Sequence, residues 1–375
     1  MKAAHQITRR ENLPSLTSLR FFAALIVIMQ HYTFREALFP PQVFLGYEAV
    51  TFFFVLSGFI LTYSHAPVTR GGPLDISARA FVTARAARIL PVYYLALLVA
   101  FPWYLYRLVT DYISLGEFIV GATLVLLLLQ SWVPHLALYW NDPAWSLSVE
   151  ALFYLAYPLI WRWTQRLSDR AMLISAAFLV AFTGLARHFF LDISSENVSL
   201  AHFSLYFPLL HLPQFIFGVA LGRVFVYHRD LLFRYARLLL AIALTALVLL
   251  VTLHTALPIL RNSAITAFIC GAIILAFAQP PAVLGWRPLS GSVLNVLGEA
   301  SYAMYILHYP LLLWYGQALR SAGMALPYWL DFLVYLALVV ATSVFSFFTI
   351  ERPARRWIND RLQPRDNAAG RGQAD

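Results

Sequence analysis

Long apolar stretches alternate along this chain with short, arginine-rich ones. Windows of about 20 apolar residues, the length a helix needs to cross a bilayer, fall near 16–34, 44–64, 80–106, 114–131, 146–163, 171–190, 205–227, 237–257, 262–279, 296–316 and 328–350. They predict an all-α bundle. Lys and Arg in the short loops orient it, because cytoplasmic loops carry the excess. Lys2, Arg9 and Arg10 place the N-terminus in the cytoplasm, and Arg70, Arg79, Arg85 and Arg88 place the loop after the second span there too. If every window crossed, three later basic stretches would lie outside: Arg162, Arg166 and Arg170; Arg223, Arg229, Arg234 and Arg237; and the arginine-rich tail.

The conflict disappears if one window between 89 and 145 fails to cross. We choose 114–131, as a re-entrant or half-depth helix shielded by protein, since lipid cannot satisfy irregular backbone. The expected fold is therefore a polytopic transmembrane helix bundle of about ten spans plus one re-entrant or half-depth helix, with both termini cytoplasmic. Arg35, Arg107, Arg187, Arg261 and Arg320 would then face outside. The expected organisation is a cytoplasmic segment 1–14, one transmembrane domain 15–350 and a cytoplasmic basic tail 351–375, partly disordered.

Composition agrees with a membrane protein. Hydrophobic residues make up 61% of the 375 and charged residues 12%, against about a quarter charged in soluble domains. The net charge of +9 does not imply nucleic acid, because no basic face alternates with stacking aromatics. Cys270 is the one cysteine, which excludes an intrachain disulfide and a cysteine-cluster metal site. The basic N-terminus resembles a signal peptide, but its apolar core runs into Gln30, His31 and Tyr32 without a small-residue cleavage site, so it is expected to remain as the first span.

Candidate chemistry lies where ionisable groups interrupt apolar stretches, since such groups are costly in a membrane. Arg20 and His31 share the first span. At about 1.5 Å and 100° per residue they lie about 16 Å apart along the axis and within about 20° around it. Arg20 could grip a phosphate-bearing group bidentately, and His31 could accept a proton deeper in the bundle; alone, His31 reads equally as a packed core histidine. Arg85 and Arg88 lie on one helical face and could clamp a phosphate or anchor lipid headgroups. Trp145-Ser-Leu-Ser-Val-Glu150 opens a span after the turn signal Asn141-Asp142-Pro143. Ser146 or Ser148 could cap that helix, whereas Glu150 needs a partner and could orient or accept a proton from a histidine. Ser301, Tyr302 and Tyr305 could bond across helices, with Glu299 and His308 as further titratable groups. The run Phe52–Phe59 reads as packing, with Ser57-Gly58 allowing close helix approach. No phosphate loop, His-x-x-x-His pattern or Gly-x-Ser-x-Gly elbow occurs, so no metal site is expected.

Taken in order, SLRFFAALIVIMQHY, FFFVLSGFIL, RAAR before LPVYY, WSLSVE and GEASYAMYILHYPLL resemble the acyltransferase-3 family of bacterial membrane O-acyltransferases, which modify envelope glycans. One departure is Thr51, where many members carry an acidic residue. The resemblance implies an acetyl-CoA-dependent O-acetyltransferase of the bacterial inner membrane, acting on a lipid-linked or growing polysaccharide. It implies catalytic roles for His31, Glu150 and Arg20, donor binding by Arg20, Arg85 and Arg88, and support from Ser148; Trp145, Ser301, Tyr302 and His308 are expected as further supporting residues from their own chemistry. No permanently bound cofactor is implied, with acetyl-CoA as co-substrate and membrane lipids as surroundings. Two rivals stay open from the sequence: a secondary transporter or flippase, for which no matching pair of broken helices is found, and a non-catalytic assembly subunit.

Overall fold

The computed structural model describes residues 11–33, 45–67, 69–193, 198–253, 262–280 and 287–362. Lys2, Arg9, Arg10, Arg35, Arg261 and the tail beyond residue 362 lie outside the described residues. Those described form α1 (Pro14–Thr33), α2 (Gly46–His65), α3 (Ala78–Val109), α4 (Leu115–Leu126), α5 (Trp145–Thr164), α6 (Asp169–Ile193), α7 (Val198–Tyr206), α8 (Leu212–Tyr227), α9 (Arg229–Leu253), α10 (Ser263–Phe277), α11 (Ser292–Glu299), α12 (Ser301–Ser321), α13 (Tyr328–Ser346) and α14 (Arg352–Leu362). A π-helical segment, Phe347–Glu351, joins the last two. No strand occurs among the described residues.

The bundle is of membrane type. Leu98, Leu155, Phe178, Phe182, Leu238 and Val248 point outward and stay exposed, as a perimeter solvated by lipid requires. Among the described residues six helices are long and apolar enough to cross a membrane. Helices α1, α5 and α12 reach the length but fall short in hydropathy, and they carry Arg20 and His31, Glu150, and His308. Polar chemistry and weak membrane character thus coincide.

Close packing is set by small residues. The most extensive helix pair is α2 with α8, where the expected role of Gly58 is met. A Cβ there would strike the Phe215 carbonyl, and one at Gly218 the Val55 carbonyl.

Residues 115–144 fold back alongside α3. Ser114 and Glu117 form a capping box that starts α4. The helix then descends alongside α3, with Tyr104 donating to the Phe118 carbonyl at 2.7 Å and Tyr93 to the Val125 carbonyl at 2.5 Å. Short 3-10 turns bring the chain back, so that Trp140 stacks on Tyr104 at 4.4 Å and Tyr139 lies under Arg107. The chain then turns in again, since Gln130 and Ser131 donate to the Ala144 and Trp145 carbonyls at 2.9 and 2.8 Å, where α5 starts. At one end of the bundle, Asp169 binds Arg70, Arg223 and His228, which gathers the loop after α2, the start of α6 and the end of α8. This is the basic end of the bundle.

Two local expectations are corrected and the start of the tail gains a structure. The window 296–316 breaks at Ala300 into α11 and α12, because Gly298 presses so tightly on the Thr17 carbonyl of α1 that the chain turns there. The window 205–227 breaks at Pro208, whose ring opens a 3-10 turn before α8. Residues 352–362, the first part of the basic tail, are a helix packed on α3.

Candidate active site

A cavity of about 540 Å³ opens at the basic end between α1, α2, α3, α5, α12 and the π segment. Arg20, Arg85, Arg88 and Glu150 all line it, together with Ser146, Glu299, Ser301, Tyr302 and Tyr305, so most of the polar residues singled out in sequence converge. Their placement follows from local structure. Arg20 lies in the second turn of α1, with Ser18 beneath it anchored to the Leu289 carbonyl at 2.6 Å. Arg85 and Arg88 are three apart near the start of α3, which Ser77 caps. The Arg85 guanidinium lies 5.8 Å from the Phe81 ring centre and 5.9 Å from that of Tyr154, and its Nε is buried without a hydrogen-bond partner. Glu150 accepts a hydrogen bond from Tyr154 one turn on.

Glu150 therefore belongs with the arginines. The expected partnership of Glu150 with a histidine is not formed: the cations it shares the cavity with are Arg20, Arg85, Arg88 and Arg355, beside the carboxylates Glu11, Glu299 and Glu351, whereas His31 sits about 16 Å further along α1 from Arg20. His31 meets His308 instead. Their rings lie edge to face, 4.9 Å between centres, and Tyr309 stands 5.9 Å from His31. The His31 Nδ1–H donates to the Val27 carbonyl at 2.9 Å and the His308 Nδ1–H to the Met304 carbonyl at 3.2 Å. In both neutral rings that leaves Nε2 as the basic nitrogen. Nε2 of His308 is buried with no hydrogen-bond partner.

The supporting residues divide. Tyr302 bonds across helices, donating to the Ile89 carbonyl at 2.6 Å, and Tyr305 meets Ser146 at 2.7 Å. Ser301 does not, since its hydroxyl turns back to Gly298 to close the break before α12. Trp145 packs among Phe54, Tyr206 and His211 away from the cavity. Neither Ser146 nor Ser148 caps α5: the helix starts after Ala144 without a side-chain cap, Ser146 bonds the Pro143 carbonyl, and the Ser148 hydroxyl is buried without a partner.

Tyr154, Glu351 and Arg355 also line the cavity and were not found from sequence. Tyr154 is spaced one helical turn from Glu150, a signal available but not distinctive. Glu351 looks in sequence like the first residue of a basic tail, yet it is 1% exposed. The wider π turn, a deviation that recurs at functional sites, carries it inward.

In chemical terms the cavity offers guanidinium groups from three elements around an apolar floor that includes Leu16, Phe53 and Ile60. That suits a multiply phosphorylated ligand with an apolar extension.

Comparison with known proteins gives the family. A family described as an acyltransferase domain matches residues 13–350. An acyltransferase of Streptomyces mycarofaciens, MdmB, is 28% identical over 82% of this chain and 81% of its own length. The putative peptidoglycan O-acetyltransferase YrhL of Bacillus subtilis is 24% identical over 94% of this chain and 56% of its own. The O-acetyltransferase OatA of Staphylococcus aureus is 22% identical over 92% and 57%. The chain thus spans little more than half of these last two. No solved structure matches. With a match across nearly its whole length on an all-helical membrane bundle, the chain belongs to the acyltransferase-3 family of membrane O-acyltransferases.

Proposed function

We propose that this protein transfers an acyl group, acetyl in the first place, from cytoplasmic acyl-CoA to a sugar hydroxyl of an envelope or exported polysaccharide. The observation that carries the proposal is the cavity holding Arg20, Arg85 and Arg88 at one end of α1, with His31 on the same face of that helix. The arginines grip the donor's phosphates, and its flexible arm covers the roughly 16 Å to His31. Nε2 of His31 accepts the proton of the attacking hydroxyl while the oxygen adds to the thioester carbonyl; the thiolate then leaves. His308, edge-on to His31, holds that ring in place. Glu150 and Tyr154 order the arginines rather than the base. The basic end faces the cytoplasm, in line with the positive-inside rule, and the membrane is the bacterial inner membrane. A sugar acceptor is favoured by the name of one relative, a putative peptidoglycan O-acetyltransferase, and acetyl as the group by the names of two.

The test is twofold. Purified protein should release CoA from acetyl-CoA in the presence of glycan acceptor. A strain making normal amounts of the His31→Ala protein should lose acetyl signals from its glycan by NMR. Unchanged acetylation in that strain would overturn the proposal, and transport of a glycan precursor without acetyl-CoA turnover would favour a flippase.

A further inference from the structure

Glu351 is the unexplained group in the cavity. It is 1% exposed, its Oε2 is buried without a hydrogen-bond partner, and it lines the same cavity as Arg20, Arg88 and Arg355. Those three are the cations whose fields it feels most. A buried carboxylate is retained only against strong compensation, and here the compensation is shared among guanidiniums rather than given by one bonded pair. The backbone that holds it is irregular, five residues of π-helix between α13 and α14. A regular helix would rotate the carboxylate away from the arginines, because one added residue turns the following side chains by about 100°.

We propose that Glu351 is the resident anion of the donor-phosphate site. It occupies the guanidinium field while the cavity is empty and competes with a donor phosphate for Arg88 and Arg355, so that it weakens donor binding and speeds release of the spent carrier. Arg355, on the first turn of α14, becomes a fourth cation of that site. The inference rests on acyl-CoA being the donor, and it assigns Glu351 a positioning role with a distinctive sign. A merely structural carboxylate lowers affinity when removed; a competing one raises it.

The experiment measures CoA binding by calorimetry to the full-length protein in nanodiscs. Glu351→Gln keeps the shape and removes the charge, and should bind CoA roughly tenfold more tightly, a change within the range of close charge pairs. KM for acetyl-CoA and kcat should fall together as release slows. Glu351→Asp retains the charge and should bind CoA more weakly than Glu351→Gln, whereas Arg355→Gln should bind CoA more weakly than the parent. If Glu351→Gln does not fold, Glu351→Ser, which also removes the charge and leaves room, is judged by the same change. An unchanged or weakened affinity in the charge-free variants, with the parent binding CoA normally, would overturn the role of Glu351 alone. Failure of the parent and every variant to bind CoA or acetyl-CoA would overturn the donor assignment, and this role with it.

Discussion

The imidazoles of His31 and His308 meet edge to face at 4.9 Å, at an angle of 63°, although nearly the whole chain separates them. Tyr335 donates to the His308 carbonyl at 2.8 Å, and both histidine Nδ1 atoms are tied to their own helices. The pair is therefore held by α1, α12 and α13 together. Its two basic nitrogens belong to rings that support each other, which gives the two residues separable roles.

His31→Ala should lower acyl transfer by roughly a hundredfold or more, the usual contribution of a general base, with CoA binding unchanged. His308→Asn should cost less, and the double variant should be no slower than His31→Ala, because groups that act as a unit are not additive. Single-turnover rates of the three proteins with acetyl-CoA decide the matter. Additive losses would show that His308 acts independently.

Arg85→Lys tests the other end of the site. Lysine keeps the charge but loses the planar fork that stacks near Phe81 and Tyr154 and binds a phosphate through two nitrogens. KM for acyl-CoA should rise roughly tenfold to a hundredfold, the worth of a hydrogen bond to a charged group, with a smaller change in kcat. An unaltered KM would move the phosphate away from Arg85.

How far these sites were legible in the sequence depended on whether one helix sufficed. Arg20 and His31, or Arg85 and Arg88, share a helix, so fixed rise and rotation placed them relative to one another. The reading of 114–131 as a segment that does not cross rested on arginine parity alone. Glu150 was assigned to a histidine because its polarity demanded a partner, and nothing along the chain distinguished an arginine on α3 from an imidazole on α1. The meeting of His31 with His308 depends on how α12 docks, after a break at Ala300 that hydropathy does not register. Glu351 was hidden by its neighbours: six arginines after it read as a tail, while a π turn rotates the carboxylate inward.

Packing of α2 on α8 gives a prediction with an internal control. At Gly58 an added methyl would meet the Phe215 carbonyl and lie 2.8 Å from the Val219 nitrogen, both backbone and unable to step aside. Gly58→Ala should cost about 1–3 kcal/mol as overpacking does, read as a lower melting temperature in detergent. In α4, Gly116→Ala meets only the Ser114 hydroxyl at 3.9 Å and should be neutral or slightly stabilising, as alanine favours a helix. Equal effects at both positions would contradict the close approach of α2 and α8.

Asp142 lies in the turn before α5, outside the spanning helices. Burial pushes its carboxyl from the ordinary 3.8 up to about 6, against the opposing influence of a hydrogen bond from Tyr309 and of Arg107. The hydroxyls of Tyr47 and Tyr206 face it as well. Because the folded protein holds this proton more tightly than the unfolded chain, stability should fall as pH rises from 3.8 to about 6 and level off above. Asp142→Asn should flatten that slope in melting temperatures recorded across the range. A slope that persists in the variant would assign it to another group.

Asp169 draws the basic end together. Its carboxylate takes Arg223 Nε at 2.6 Å and Arg70 at 2.7 Å, with the Asp169 and Arg223 side chains 8% and 6% exposed. Arg223 also donates to the Thr164 and Leu167 carbonyls, so three connections of the chain depend on one buried anion. Removing one partner of such a pair leaves the other charge uncompensated, which costs about 3–5 kcal/mol, whereas replacing both by apolar groups is often near neutral. Asp169→Asn should therefore lower the melting temperature sharply, and Asp169→Leu combined with Arg223→Met should recover much of the loss. Because Arg70 is 54% exposed, Arg70→Ala should change little. A double variant no better than Asp169→Asn would mean that the carbonyl contacts of Arg223, rather than its charge, hold this end of the bundle.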